Sequence, residues 1–411
     1  MKNLSFGILL FFIGCAAPKE DIEIPEDISN LENLTVYSEE TEADSSVEFV
    51  HDVTFEVPEN ISRNWFKRFP GYNWLAGIEI DDSGRVFIAD HSFKMIHVFD
   101  SEGSYVTSLG REGNGPGEYQ SITDTEIFSQ KLHVFDWMKF RTTTYSLDSL
   151  KDIETEDVRP PVNMGEIDKI TGWFTIRPLL RSEGTYLAGF IEDWPNANVG
   201  SPKYNLGQDR PMKFFFMDNE SYIFSDEIFE LKKGREDLVA QVGDRHLFNL
   251  RTYPFLARSL ITISNDNHIY TTWTKNFLIK VYGPDGAYLR AFYHPYQRKI
   301  LRREEVLPLF DGNDEWGMRD LVQHAELPET WPAIKSIITD DKNRLWVSKI
   351  VSDDVYEWWV LQDTGELVAK FRWPENRSIE AVKNGYAYSH EADEETGIQK
   401  ILRYRIEMEK N

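Results

Sequence analysis

The feature that most constrains the fold is a β-hairpin pattern that returns along the chain. Three stretches align without gaps: "IEIDDSGRVFIAD" at 78–90, "LITISNDNHIYTTW" at 260–273 and "SIITDDKNRLWVSK" at 336–349. In each of them a tight polar turn joins an apolar strand to a second, alternating strand, which is the signature of a β-hairpin. The pattern therefore predicts antiparallel hairpins as the building units of the chain.

A second hairpin signal occurs in five places. It reads "FDSEGSYV" (99–106), "SLDSLKDI" (146–153), "FMDNESYI" (216–223), "YGPDGAYL" (282–289) and "LQDTGELV" (361–368). With Asp100, Asp148, Asp218, Gly283 and Gln362 taken as equivalent, the steps between copies are 48, 70, 65 and 79 residues. Two hairpins in series make a four-stranded meander, strands A to D, and these spacings are typical of propeller blades that carry insertions.

A sixth unit lacks its last strand. "IEAVKNGYAYSH" (379–390) predicts strands A and B, and "QKILRYRIEM" (399–408) predicts strand C. An open ring would leave bare strand edges, so we expect the missing strand to come from "VEFVHDVTFEV" at 47–57, which alternates in the same way. The predicted fold class is all-β: a six-bladed β-propeller of four-stranded antiparallel blades, closed by an N-terminal strand.

Charge and cysteine content exclude several functions. The formal net charge of −24 argues against nucleic-acid binding, because phosphates need a basic surface that displaces their counterions. Cys15 is the single cysteine, which excludes disulfides within the chain, multi-cysteine zinc sites and a buried cysteine nucleophile.

The cysteine ends a segment that is typical of a signal peptide. Lys2 precedes an apolar run over 6–13 that is too short to span a bilayer as a structural helix. The ending "FIGC" resembles the lipobox of bacterial lipoproteins, in which the cysteine receives the lipid. The resemblance implies a signal peptide over 1–15 and a membrane anchor through lipidated Cys15; the alternative is a plain signal peptide with a chance cysteine.

The segment after the cysteine is predicted to be a tether. Residues 16–46 are acidic and rich in Pro, Ser and Glu, which favours a flexible chain, and the propeller would then occupy 47–411. Lys19, Glu20 and Asp21 resemble the export signal of Bacteroidetes lipoproteins. That resemblance implies an outer-membrane lipoprotein that is periplasmic or exposed at the cell surface.

The glycine-rich stretch "LGREGNGPGEYQ" at 109–120 has two readings, a phosphate-binding loop or a connector. A phosphate loop needs a helix behind it and a Lys-Ser/Thr pair, and neither follows here, so a connector between blades one and two is predicted. Together with the preceding strands, the stretch resembles an NHL-type repeat. With the lipobox, the whole chain is similar to six-bladed β-propeller lipoproteins of Bacteroidetes.

The long insertions all fall on one predicted face of the propeller. Strand direction alternates in a meander, so the B-to-C and D-to-A connections emerge together, and they include 193–211, 232–254 and 294–332. The last segment, between blades four and five, predicts two short helices. Long loops on a rigid scaffold commonly bind ligands, although they can also be decorative. The basic cluster in this segment predicts either an anion site or pairing with nearby acids; it comprises Arg298, Lys299, Arg302 and Arg303.

The residues at the ends of strands B are predicted to surround the mouth of the central channel. Carboxylate, imidazole, ammonium and indole groups together suit a glycan or small-molecule site, because indoles stack on sugar rings and charges fix orientation. The alternative is an ordinary polar channel mouth. The predicted ligand-binding residues are Asp90, His91, Asp136, Trp137, Trp273, Lys349 and His390.

Two function classes follow from these patterns. The first is a non-catalytic cell-envelope lipoprotein that engages a glycan, a peptide or an envelope protein, with no catalytic residue and no cofactor predicted. The second is a propeller enzyme, a lyase or hydrolase, whose channel mouth would hold calcium or zinc. The histidines form no His-x-His or His-Glu-x-x-His motif, so no metal ligand is predicted from the sequence.

Overall fold

The computed structural model of the chain describes residues 24–38, 42–56, 75–157, 163–181, 184–192, 210–234, 237–242, 245–250, 253–310, 317–351, 355–392 and 399–410. The described part is nearly all-β and forms a six-bladed propeller, which confirms the predicted fold class. The predicted signal peptide and Cys15 lie outside the described residues.

The N-terminal elements and the first two blades follow one another along the chain. Helix α1 (Glu26–Ser29) and strands β1 (Leu34–Val36) and β2 (Ser45–Phe55) come first. Blade one contains β3 (Leu75–Ile80), β4 (Val86–Asp90), β5 (Met95–Phe99) and β6 (Tyr105–Leu109), and the short pair β7 (Arg111–Glu112) and β8 (Glu118–Tyr119) leads to the next blade. Blade two contains β9 (Ile122–Phe128), β10 (Lys131–Asp136), β11 (Arg141–Ser146) and β12 (Asp152–Asp157).

Blades three and four are separated by an additional hairpin. Blade three contains β13 (Phe174–Leu180), β14 (Tyr186–Ile191), β15 (Pro211–Met217) and β16 (Phe229–Lys232), preceded by 3-10 turns at Met164–Glu166 and Asp168–Ile170. The hairpin consists of β17 (Asp237–Val242) and β18 (Arg245–Leu250), in a segment that was predicted to be a loop. Blade four contains β19 (Ser259–Ile263), β20 (Ile269–Trp273), β21 (Leu278–Tyr282) and β22 (Tyr288–Tyr293).

The helical insertion and the last two blades complete the chain. The insertion contains α2 (Arg303–Val306), a 3-10 turn (Leu307–Phe310) and α3 (Met318–His324), which confirms the two predicted helices. Blade five contains β23 (Ile334–Thr339), β24 (Leu345–Ile350), β25 (Val355–Leu361) and β26 (Leu367–Pro374). Blade six contains β27 (Arg377–Lys383), β28 (Tyr386–Ala392), β29 (Gln399–Lys410) and, as its outer strand, β2.

Each pair of consecutive blades buries one hydrophobic cluster between its sheets. Successive side chains of a strand point to opposite faces, so neighbouring residues serve different junctions. Phe87 packs between blades one and two, whereas Ile88 packs between blades six and one. Likewise, Trp346 belongs to the junction of blades five and six and Val347 to that of blades four and five. Burial on both faces explains the continuous apolar runs in the middle strands.

The ring closes as predicted, through pairing of the two chain ends. Strand β2 pairs antiparallel with β29 over ten residue pairs, from Ser45 opposite Lys410 to Phe55 opposite Ile401. The closing strand thus begins two residues earlier than the predicted 47–57. Phe55 is fully buried against blade one, so the closure also completes the last hydrophobic junction.

The predicted flexible tether over 16–46 is wrong for its described part. Strand β1 pairs in parallel with β22, which makes blade four five-stranded. Ile28 is 1% exposed, and the ring of Tyr37 stacks on that of His294 at 4.5 Å. An acidic composition suggested a solvated chain, but the open edge of β22 and these apolar contacts offset the entropic cost of ordering it. We refer to residues 24–38 as the strap.

The additional hairpin and the helical insertion pack into the hydrophobic cluster of blades five and six. Leu238, from the additional hairpin, is buried in the same hydrophobic cluster as Leu321 and Val322 of α3. Arg303 donates to the carbonyl oxygens of Val322 and Ala325 and so caps the end of that helix. The additional hairpin and the helical insertion are therefore packed against each other and against the last two blades.

The glycine-rich stretch is a connector, as predicted. Arg141 on blade two donates to the carbonyl oxygens of Asn114 and Gly115, both at 2.9 Å. Glu118 Oε2 in turn accepts from the amides of the same two residues, at 2.9 and 2.8 Å. The amides and carbonyl oxygens of Asn114 and Gly115 are thus hydrogen-bonded within the protein.

Glycines in the C-to-D turns allow close approach of the preceding blade. A Cβ added at Gly365 would lie 2.3 Å from the ring of Phe292 in blade four, and one at Gly103 would lie 2.4 Å from Val53 in blade six. Both glycines also have a positive φ, 94° and 87°. The repeated turn thus sets the distance between blades as well as the chain direction.

Phe55→Ala tests the closure. Loss of a fully buried ring at the junction of blades six and one should lower the free energy of unfolding by about 3–5 kcal/mol in urea titrations. The matched control is Glu48→Ala in the same strand, whose side chain is exposed and whose effect should stay within about 0.5 kcal/mol. Equal losses for the two variants would contradict the role of β2.

Gly365→Ala and Gly385→Ala test the close approach. Gly385 has a φ of 81° but no atom within 4 Å of an added Cβ, so its substitution reports backbone strain alone. That strain should cost about 1–2 kcal/mol, and Gly365→Ala should lose about 1–3 kcal/mol more through the clash with Phe292. Thermal unfolding of both variants measures the two losses in the free energy of unfolding. Equal losses would show that the spacing of the blades does not depend on this turn.

Candidate functional site

The central channel contains a cavity of about 310 Å³ near the A-to-B turns. Strand A is the innermost strand of every blade, so all six blades contribute to the wall. One lining residue from each inner strand, in blade order, is Glu79, Asp124, Leu180, Thr262, Thr339 and Glu380. Its volume falls at the lower end of the range that is typical of small-molecule sites.

Carboxyl groups dominate the electrostatics of the cavity. Glu79, Asp124, Glu126 and Glu380 all line it, and among the described lining residues Lys383 is the only one with an ammonium group. Lys383 Nζ donates to the carbonyl oxygen of Ile80 at 2.7 Å, so part of its hydrogen-bonding capacity is already used. The channel therefore favours positive charge.

Glu79 is the titratable group most affected by this environment. Burial, followed by repulsion from the Asp124 carboxylate, raises the pKa of Glu79 to about 8, although Lys383 and the amide of Ile127 act against the shift. The amide of Ile127 donates to Glu79 Oε2 at 3.4 Å. Glu79 is therefore mainly protonated at neutral pH and becomes an anion as the pH rises above 8.

One acidic residue of the lining is committed to turn structure. Asp340 Oδ1 accepts from the amides of Lys342 and Arg344, both at 2.9 Å. Its Oδ2 accepts from Trp346 Nε1 at 2.9 Å and from Arg344 Nη2 at 2.7 Å. Asp340 therefore holds the A-to-B turn of blade five.

Thr125 adds a polar group without an internal partner. It lines the cavity, is 6% exposed, and its hydroxyl has no hydrogen-bond partner in the described part of the chain. A buried hydroxyl left unbonded is unfavourable, so water or a ligand group in the cavity would stabilise it.

The predicted channel-mouth residues Asp90 and Asp136 are turn caps. Asp90 is fully buried, its Oδ1 accepts from the amide of Ser92 at 2.7 Å, and its Oδ2 lies 3.5 Å from His97 Nε2. Asp136, also fully buried, accepts from the amide of Gln120 at 2.8 Å and so ties the connector to blade two. Both carboxylates are engaged inside the protein.

His91 and Trp137 lie in the B-to-C turns of blades one and two. His91 Nδ1 is 2.7 Å from the carbonyl oxygen of Ile122, the first residue of β9. The ring of Trp137 packs on Phe140 at 4.7 Å. Both side chains are half-buried and contribute to contacts near the connector.

Lys349 is enclosed by aromatic rings. It is 5% exposed, and its ammonium lies 4.3 Å from the centre of the Trp359 ring and 4.6 Å from that of Tyr296. Glu357 Oε1 lies 3.4 Å from the ammonium. These cation–π and ionic contacts satisfy the charge within the protein.

Trp273, the last residue of β20, and His390, inside β28, are half-buried. The ammonium of Lys232 lies 5.8 Å from the centre of the Trp273 ring. His390 lies in β28, between Ser378 of β27 and Ile401 of β29.

The described cavity lies near the A-to-B turns, at the end of the channel opposite to the predicted mouth, so it does not test the predicted strand-B residues. None of the seven predicted residues is among those that line the described cavity. In addition, strand A lies between strand B and the axis in every blade. Whether these residues bind a ligand elsewhere stays a prediction.

The channel carboxylates were not predicted, although the sequence carries a signal for them. Glu79 and Glu380 lie within the hairpins "IEIDDSGRVFIAD" and "IEAVKNGYAYSH". Each of them lies between two apolar residues in the innermost strand of its blade. A side chain in such a position must face either a neighbouring blade or the axis. Because strand A forms the channel wall, an acidic residue in this position indicates a channel-lining side chain, as for Glu79 and Glu380.

Two members of the basic cluster, Lys299 and Arg303, have partners within the helical insertion. Lys299 Nζ lies 3.4 Å from Glu305 Oε2, and Arg303 caps α3. This favours the predicted pairing with nearby acids over an anion site. Within the described residues no cluster of three or more His, Cys, Asp or Glu side chains could hold a metal ion.

The fold and its channel define a β-propeller, and a family comparison agrees. Residues 75–169 match the model of a family described as a 6-bladed beta-propeller. A comparison of the sequence with curated proteins gives no match. No helix in the described ranges has the length and apolarity needed to cross a membrane.

Solved structures with a similar fold include bacterial proteins of distant sequence. A protein from Bacteroides fragilis is 13% identical over 92% of this chain and all of its own, with a TM-score of 0.48. A member of the duf4221 family from Bacteroides vulgatus is 11% identical over 90% of this chain and all of its own, also with 0.48. Virginiamycin B lyase from Staphylococcus aureus is 14% identical over 89% of each chain, with 0.38. At these identities the likeness concerns the fold.

Proposed function

We propose that the protein is an exported, lipid-anchored β-propeller that binds a ligand in its central channel without transforming it. The observation that carries the proposal is the cavity of about 310 Å³ formed by the inner strands of all six blades and lined by carboxyl groups. Of the ligand classes considered from the sequence, a peptide with a basic side chain fits this wall best.

The charge of the wall supports a cationic ligand. Glu79, Asp124, Glu126 and Glu380 face one cavity in which Lys383 is already hydrogen-bonded to the protein. Hydrogen bonds between a guanidinium or ammonium group and carboxylates are the stronger kind, about 1.5–3 kcal/mol each. A glycan would instead need aromatic stacking, and the predicted indoles of Trp137 and Trp273 are not part of the cavity lining.

The envelope location rests on the N-terminal sequence. A short apolar run that ends in "FIGC" supports lipidation of Cys15, and the Lys-acid-acid signal after it supports export to the outer membrane. A lipid on this cysteine would hold the propeller at a membrane while leaving the channel in water.

A second candidate function is an enzyme of the lyase or hydrolase class. The observation that favours it is Glu79, whose pKa of about 8 keeps a proton on a carboxyl group inside the cavity at neutral pH. Such a group could act as a general acid toward a bound substrate.

Binding of a blocked arginine tripeptide tests the channel. The guanidinium of the peptide stays charged between pH 7 and pH 9, whereas Glu79 loses its proton as the pH rises through about 8. The added negative charge should strengthen binding between pH 7 and pH 9 by about tenfold, equal to about 1.4 kcal/mol, in calorimetric titrations. Glu79→Gln should remove this pH dependence, and Glu380→Gln should weaken binding at every pH.

The control is Glu102→Gln, whose exposed side chain lies in a C-to-D turn away from the cavity lining. It should bind like the parent protein. Unchanged binding in Glu380→Gln would refute the channel site, and cleavage of the peptide, seen by mass spectrometry, would favour the enzyme over the binding protein.

Cys15→Ala tests the anchor. If the cysteine carries the lipid, the variant should move from the membrane fraction to the soluble fraction, because a lipid chain supplies the membrane affinity. Immunoblots of fractionated cells give the measurement. Retention of the variant in the membrane fraction would refute the lipoprotein proposal.

A further inference from the structure

The strap contacts the propeller much closer along the chain to the proposed anchor, Cys15, than the acidic composition of residues 16–46 suggested. The side chain of Asn33 donates to the carbonyl oxygen of Leu289 at 3.0 Å, and Tyr288 donates to that of Glu32 at 2.6 Å. Three residues of β1 pair with β22, and Ile28 is buried. The contacts of Glu32, Asn33 and β1 lie at the outer edge of blade four.

The end of the strap continues the attachment toward blade five. The amide of Tyr37 donates to the carbonyl oxygen of Tyr293, and its hydroxyl donates to that of Thr364 at 3.2 Å. Its ring stacks on His294 at 4.5 Å. Burial lowers the pKa of His294 to about 4, so the ring is neutral at physiological pH and this contact persists there.

We infer that the strap makes the outer edge of blade four the side of the propeller nearest the membrane. The inference rests on the proposed lipid anchor at Cys15. Helix α1 begins at Glu26, eleven residues after that cysteine. Such a segment spans at most about 40 Å when fully extended and about 18 Å as a flexible coil.

A free tether would behave differently. The first residue of the closing strand is Ser45, thirty residues after Cys15. A flexible chain of that length spans at most about 110 Å and would let any blade face the bilayer. Docking of the strap therefore restricts both the distance and the orientation of the propeller.

The charge of the strap determines the kind of membrane contact. Glu26 and Asp27 occupy the first turn of α1, and Glu32 is exposed beside it. Anionic headgroups repel such an edge, so the lipid chain, and not adhesion of the protein surface, holds it near the bilayer. With an outer edge toward the membrane, neither end of the channel faces the bilayer.

Energy transfer from a single labelled position to a headgroup acceptor tests the orientation. Ala287→Cys places the label in an exposed turn of blade four, and Val106→Cys places it on blade one, which lies opposite in a ring of six blades. Cys15 is consumed by lipidation, so each variant offers one thiol. On vesicles, transfer efficiency should be at least twofold higher from blade four than from blade one; equal efficiencies would overturn the inference.

Variants of the strap provide a second test of the orientation by the same energy-transfer measurement. Ile28→Asp combined with Tyr37→Ala should undock the strap and make the two transfer efficiencies equal, while Thr35→Asp, which adds the same charge at an exposed position of β1, should keep the difference. A retained difference in the undocked variant would overturn the inference. Failure of the anchor itself is distinct, because the protein would then not sediment with vesicles at all.

Discussion

Pairing between the two ends of the chain is the interaction on which the rest of the structure depends. Strand β2 completes blade six by ten residue pairs with β29, and Phe55 fills the junction with blade one. Without this strand the ring has two open edges and one incomplete hydrophobic junction. Arg403 reinforces the pairing, with Nη2 at 2.6 Å from Asp52 Oδ2, next to the bulge in β2. A closed ring is also the condition for a channel whose wall comes from every blade.

Junctions between blades explain where polar and apolar residues lie. The middle strands bury both faces, so they carry residues such as Phe214 and Phe215, which belong to two different junctions. The inner strands meet around the axis, where side chains cannot pack into a neighbouring sheet. Acidic side chains line the cavity there, and burial, followed by repulsion from the Asp124 carboxylate, raises the pKa of Glu79. The same geometry that stabilises the ring thus produces an acidic channel.

Polar residues at strand ends were the least predictable part of the site. Asp90, Asp136 and Lys349 have the residue types of a binding site, yet the first two cap turns and the third lies in an aromatic enclosure. A sequence does not show whether a carboxylate has backbone amides within reach, because those amides come from residues that are distant in the chain or turned by the local backbone. Asp136, for example, accepts from Gln120, sixteen positions earlier.

The sequence by itself determined the blades, their number, the closing strand, the connector and the helical insertion, because hairpin turns and strand alternation are local and repeat. Tertiary structure decided which strand faces the channel, that Glu79 and Glu380 share its cavity, and that the strap docks on blade four. These outcomes depend on how the blades are arranged around an axis and on which strand edge remains open. Neither property is contained in the local pattern of any one segment.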